Sequence, residues 1–173
     1  YDSGDLDNAL EAWPRHYSDQ RKMLASLRKG SSKRAISTLD RRMLRLYVSA
    51  VQSEIFNDVV AARIDSLSTL FTGDLAQKCD TGGIFLVENA ATEQPRADRF
   101  EISPTGPIVG AKSRAAEGHP GEIESRVLSA AGLTPDCWRS IRGLDVPGSR
   151  RPLRVRPADL QISDGADGDL EIS

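Results

Sequence analysis

The residue types that do chemistry are sparse in this chain. Its two histidines, His16 and His119, stand alone, and its two cysteines, Cys79 and Cys137, lie far apart with no Cys-x-x-Cys. A metal centre needs such ligands clustered at short spacing, so the pattern predicts no metal. No glycine-rich phosphate loop, nucleophile elbow or Ser-His-Asp order occurs. Asp74 and Glu88 could be paired on paper, yet nothing around them separates them from surface carboxylates. The residues by themselves name no acid, base or nucleophile.

What is organised is positive charge. The chain carries 23 basic and 25 acidic residues, a net charge of −2. Residues 15–45 nevertheless hold ten basic against two acidic side chains, and residues 139–156 hold six against one. Residues 157–173 then carry five acids and no base. Clustering of this kind suits contact with a polyanion on selected faces, and a solvated helix surface would account for most of the arginines as well. Charge alone leaves both readings open.

The elements that would position these groups can be read from periodicity. At 173 residues, 39% hydrophobic and 28% charged, the chain suits one ordinary domain, or one domain with a piece of another. No run approaches the ~20 apolar residues of a membrane span, and the polar, acidic first twenty residues do not read as a signal peptide. The two distant cysteines leave a single disulfide open, and a reducing cytoplasm with inert thiols is the preferred reading. Asp5 is placed to cap a short helix ending at Pro14, a second helix is predicted over 18–29 with Gly30 as its stop, and a third after Ser31 or Ser32. The strongest helical pattern spans 40–67: Leu44, Val48, Val51, Ile55, Val59 and Ala62 recur at steps of three and four. Phe56, Val60 and Ile64 widen that face and predict burial on more than one side, with small Ser49, Ala50 and Ser53 allowing close approach of another element. Asp40 is the expected N-cap.

Beyond Gly73 the period shortens to that of strands, over 74–77, 84–88 and 99–102, with a polar stretch containing Pro95 between the last two. EISPTGPIVG at 101–110 reads as two β-type runs with a turn stiffened by Pro104 and Pro107 around Gly106. A helix is predicted over 121–131 and another short one from Thr134. Alternation at Leu160, Ile162, Leu170 and Ile172 around an Asp-Gly-Ala-Asp-Gly turn predicts a terminal β-hairpin. The fold class expected is α/β (α+β): a helical layer with a small mixed sheet.

Three stretches, in order, carry a family likeness. SAVQSEIFNDVVAARI resembles the SAxQSxxFNxxxxxRI helix of the TruD family of tRNA pseudouridine synthases, matched by Ser49, Ala50, Ser53, Phe56, Asn57 and Arg63. Gly73-Asp-Leu resembles the strand that follows, and Ser103, Pro104, Thr105, Gly106 and Pro107 resemble the family's PTGP segment, with Glu117, Glu122 and Glu124 in the glutamate-rich part after it. GSRRPLR at 148–154 resembles the G-x-R-R-x-L/I-R strand entry. The likeness runs over about residues 1–172. The family's GxKDxxA-type motif, which holds its nucleophilic aspartate, and its NxFGxQRFG motif do not occur here.

The resemblance implies an insertion domain over 1–145 and return strands of a catalytic domain over 146–173, with catalytic residues outside the chain. It implies isomerisation of uridine thirteen of tRNA to pseudouridine without cofactor or metal, and as partners tRNA and the remainder of the same polypeptide, with no membrane. On that basis Lys112, Arg114, Arg142, Arg150, Arg151 and Arg154 are expected to contact RNA along the cleft between insertion and catalytic body, and Arg41, Arg42 and Arg45 rank second. A stand-alone RNA-binding or protein-interaction module, and an insertion that only braces the catalytic sheet, are the alternatives.

Overall fold

Side-chain caps start the helices where the sequence places them. The computed structural model describes residues 5–139, 141, 143–157, 161–164 and 170–172. Asp5 opens α1 (Leu6–Ala12) by accepting from the Asn8 N–H at 3.0 Å, and Ser31 opens α3 (Ser32–Ser37) through the Arg34 N–H. Between them lies α2 (Ser18–Arg28). Asp40 caps α4 (Arg41–Ala62) by accepting from the Met43 N–H at 2.8 Å. Each such bond satisfies one of the orphan donors of a helix N-terminus.

The chain forms two units, one drawn from residues 1–54 and 140–145, the other from 55–139 and 146–173. In the first, Arg21 ties α2 to α1 by donating to the carbonyls of Leu10 and Trp13, both at 2.6 Å, and Arg28 pairs with Asp7 at 2.9 Å. Among the described residues, Leu24 and Ala35 are its buried apolar side chains. The part of α4 in this unit contains no buried residue: Leu46, Tyr47 and Val51 are exposed, as are Ser49, Ala50 and Ser53. Burial in α4 begins at Ile55, with Phe56 and Val59, and Ile64 beyond the helix is 59% exposed. The expected burial of this helix on more than one side is therefore replaced by one buried face confined to its C-terminal half.

The second unit is built on a four-stranded sheet in the order β2–β1–β3–β4, from β1 (Leu75–Lys78), β2 (Ile84–Leu86), β3 (Ile102–Ile108) and β4 (Ser149–Pro152). Every pairing is antiparallel, where a mixed sheet was expected. The larger difference concerns Ser103–Pro107, which forms the middle of β3 and not a turn. Two prolines fit an internal strand because the sheet is staggered. β1 covers only the first half of β3, with Ala76 opposite Pro104, and β4 covers the second, with Arg150 opposite Pro107.

Antiparallel partners alternate between bonded and non-bonded pairs. The Cys79 N–H to Glu101 O bond sets the parity on one side, which makes Pro104 a non-bonded position toward β1. On the other side the Leu153 N–H donates to Pro104 O at 2.9 Å, which makes Pro107 a non-bonded position toward β4. Neither β1 nor β4 therefore loses a ladder bond to a missing proline N–H within its paired stretch.

The polar stretch with Pro95 is a helix, α5 (Ala90–Asp98), capped by Asn89 and pinned by Gln94, which accepts from the Leu70 N–H at 2.8 Å. Helix α6 (Gly118–Ala130) and a 3-10 turn (Pro135–Trp138) follow. The hairpin forms from β5 (Ile162–Asp164) and β6 (Leu170–Ile172), with its turn outside the described residues. Apolar packing falls in two clusters. One joins Leu70, Ala76, Val87, Ala97 and Ile102; the other joins Phe56, Val59 and Leu153, flanked by Ile108 and Val127.

Candidate nucleic-acid interface

Two buried ion pairs fix the framework of the second unit. Arg63, just after α4, meets Asp74 through two nitrogens at 2.5 and 3.1 Å and also donates to Thr69 O. Both side chains are almost fully buried, and Asp74 accepts a further bond from the Phe71 N–H. The Arg63 guanidinium lies 4.9 Å from the Phe71 ring centre. This pair closes the chain between helix and sheet, so the carboxylate that looked like a surface acid is the best-buried acid of the unit.

The second pair joins Arg150 of β4 to Glu124 of α6 at 2.7 and 3.0 Å. Arg150 also donates to the Thr105 hydroxyl at 3.0 Å and to Thr105 O at 2.6 Å, while that hydroxyl donates to Leu75 O at 2.5 Å. One arginine thus links α6, β3 and, through Thr105, β1. Its side chain is 3% exposed. A guanidinium so fully engaged has no donor to offer a phosphate, and the expectation that Arg150 faces RNA gives way to a bracing role.

The other expected cations divide by place. Lys112 and Arg114 are exposed on the connection from β3 to α6. That connection is zipped to the residues before β4: Ala111 and Lys112 donate to Val146 O and Pro147 O, each at 2.8 Å. Arg114 O accepts from Arg150 at 3.3 Å, so Lys112 and Arg114 are brought beside the Arg150 pair. Arg151, the next residue on β4, points to the opposite face, as strand alternation requires. It is exposed and lies 5.3 Å from the Phe56 ring centre. Gly106 faces it in register, and a Cβ there would sit 2.9 Å from Leu153 and 3.1 Å from Phe56, which is why the strand carries glycine at this point.

Arg154 is drawn elsewhere. It donates to Ala97 O and Ile102 O and lies 4.2 Å from the Phe100 ring centre. Burial pushes this guanidinium below its ordinary value, the direction expected when a cation leaves water. Arg142 lies outside the described residues. Of the family-type helix residues, Phe56 and Arg63 are buried, while Ser49 and Asn57 are exposed. The sequence offered no signal for the Arg63–Asp74 and Arg150–Glu124 pairings, whose partners are 11 and 26 residues apart.

Beside this geometry stand the comparisons. The sequence model of the family described as tRNA pseudouridine synthase D (TruD) matches residues 1–173. The chain belongs to the TruD family. A tRNA pseudouridine synthase D of Syntrophotalea carbinolica is 47% identical over 174 residues, covering 100% of this chain and 44% of that protein. The Geobacter sulfurreducens protein of the same name is 43% identical over 157 residues, covering 90% of this chain and 38% of its own length. The chain therefore spans less than half the length of these TruD relatives. A Methanosarcina mazei crystal structure bearing the TruD name superposes with a TM-score of 0.69 at 21% identity, over 96% of this chain and 42% of that one. At that identity the likeness is one of fold, and the fold is that of a TruD segment. Among the described residues no helix is long and apolar enough to cross a membrane.

Proposed function

We propose that this chain is the segment of a cytoplasmic tRNA pseudouridine synthase that frames the tRNA-binding cleft. Within it, residues 1–145 form the insertion domain and 146–173 return to the catalytic domain. The observation that carries the reading is the family match over the whole chain, joined to 47% identity with a relative named for this activity.

The reaction isomerises uridine thirteen to pseudouridine: the base leaves its stack, detaches from its sugar carbon, rotates and rejoins through carbon. Extruding a base costs a few kcal/mol, which contacts around the site must offset. The nucleophilic aspartate is supplied from outside these 173 residues, and the chemistry uses no cofactor or metal. Lys112, Arg114 and Arg151 are the exposed cations that meet RNA phosphates. Arg150 and Arg154 act indirectly, holding β4 and the strand exit so that those cations keep their places.

The test is pseudouridine formation by the full-length protein on an unmodified tRNA transcript, mapped by carbodiimide labelling and primer extension. A stop at uridine thirteen is expected. Failure to form pseudouridine in any tRNA would remove the reading.

A further inference from the structure

The first unit carries a groove of about 980 Å³ along α3 and the start of α4, which the family motifs do not touch. Lys33, Arg34 and Arg41 line it together with the apolar Ile36, Leu39 and Leu44. The three cations are exposed, and their side chains have no ion-pair or hydrogen-bond partner among the described residues. By contrast, Arg21, Lys22 and Arg28 of the same basic stretch are each bonded. Among the described residues no acid lines the groove, and Asp40, next to Arg41, accepts from the Met43 N–H.

We propose that this groove binds a single-stranded stretch of RNA, with phosphates on Lys33, Arg34 and Arg41 and a base laid over Ile36, Leu39 and Leu44. Charge complementarity selects the occupant. Three exposed cations without an ion-pair partner among the described residues repel a basic peptide. Phosphates satisfy the cations, and the guanidinium planes of Arg34 and Arg41 offer a surface on which a base stacks. The volume lies in the range of small-molecule sites, enough for a nucleotide unit. The inference rests on the RNA-modifying reading above and adds a second contact surface to it.

The test uses the full-length protein and a fluorescein-labelled single-stranded RNA 12-mer, titrated at several salt concentrations. Replacing Lys33, Arg34 and Arg41 together by Ala is expected to raise Kd about tenfold at low salt. It should also reduce the slope of log Kd against log salt by about two units, since each phosphate contact on a single strand contributes roughly 0.7. Ile36→Ser should raise Kd severalfold with the slope unchanged. Wild-type affinity and slope in the triple variant would overturn the proposal and give the groove to a protein segment. So would a slope change in Ile36→Ser as large as that of the triple variant. These readouts do not depend on pseudouridine formation: loss of the synthase reading shows as an inactive wild type, loss of the groove as an unaltered slope.

Discussion

At the scale of single residues, the structure separates arginines that hold the fold from those that meet solvent, and the two kinds respond differently to substitution. Removing one partner of a buried, hydrogen-bonded ion pair leaves the other charge stranded, at about 3–5 kcal/mol. Asp74→Ala and Glu124→Ala should therefore each lower the melting temperature of the full-length protein by roughly 6 °C or more, read by differential scanning calorimetry. A shift within error would contradict the burial of these pairs. Arg151→Glu should leave the melting temperature close to wild type, because its contact with Phe56 is an exposed cation–π pair of about 0.5–1 kcal/mol. The same change should weaken tRNA binding in a salt-dependent way. If Arg150→Glu and Arg151→Glu instead gave equal losses of stability, the assignment of bracing to one and RNA contact to the other would fall.

At the scale of elements, the instructive case is β3. Its sequence, Ile-Ser-Pro-Thr-Gly-Pro-Ile, carries turn residues, and local chemistry alone predicts a turn. What overrides it is the stagger of β1 and β4, a long-range arrangement no local window contains. Gly106→Ala probes this packing: the added Cβ meets Leu153 and Phe56, and overpacking of that kind costs about 1–3 kcal/mol. Thermal melting comparable to wild type would show that α4 and the sheet are not in contact there. The helices were more legible, since Asp5, Ser31 and Asp40 announce their starts locally. α5 was missed because Pro95 reads as a breaker, and two of the bonds that hold it, from the Leu70 N–H to Gln94 and from the Ala90 N–H to the Thr72 hydroxyl, join residues 24 and 18 apart in the chain. The periodic stripe of α4 was visible, but not which half would be covered. Amphipathic spacing says which face is apolar, not what lies against it.

A pH dependence also belongs to this scale, at the corner between α5 and β3. The Arg99 side chain hydrogen-bonds the Glu101 carboxylate and holds its pKa below the ordinary value, with the Arg99 and Arg96 charges assisting. A depressed carboxylate stabilises the folded state above its unfolded pKa, and that contribution is lost as pH falls through the folded value. Stability should thus decline on acidification somewhat less in Glu101→Gln than in wild type. Parallel melting curves across the acidic range would show the corner contributes nothing.

At the scale of the whole molecule, we propose that these units supply surfaces and bracing, with the catalytic aspartate in the rest of the longer protein. The family motifs were legible because they keep order along the chain, and the sequence model of the family matches all 173 residues. Which cations are free was not legible, because that depends on Glu124 and Phe100, whose proximity to β4 and its exit only the fold creates. The most direct test of the account is steady-state pseudouridine formation on a tRNA transcript by the full-length protein, with Lys112, Arg114 and Arg151 replaced together by Glu. The account predicts isomerisation at uridine thirteen by the wild type, and in the variant a KM raised about tenfold or more with kcat nearly unchanged. An unchanged KM, or a wild type that forms no pseudouridine in tRNA, would contradict it.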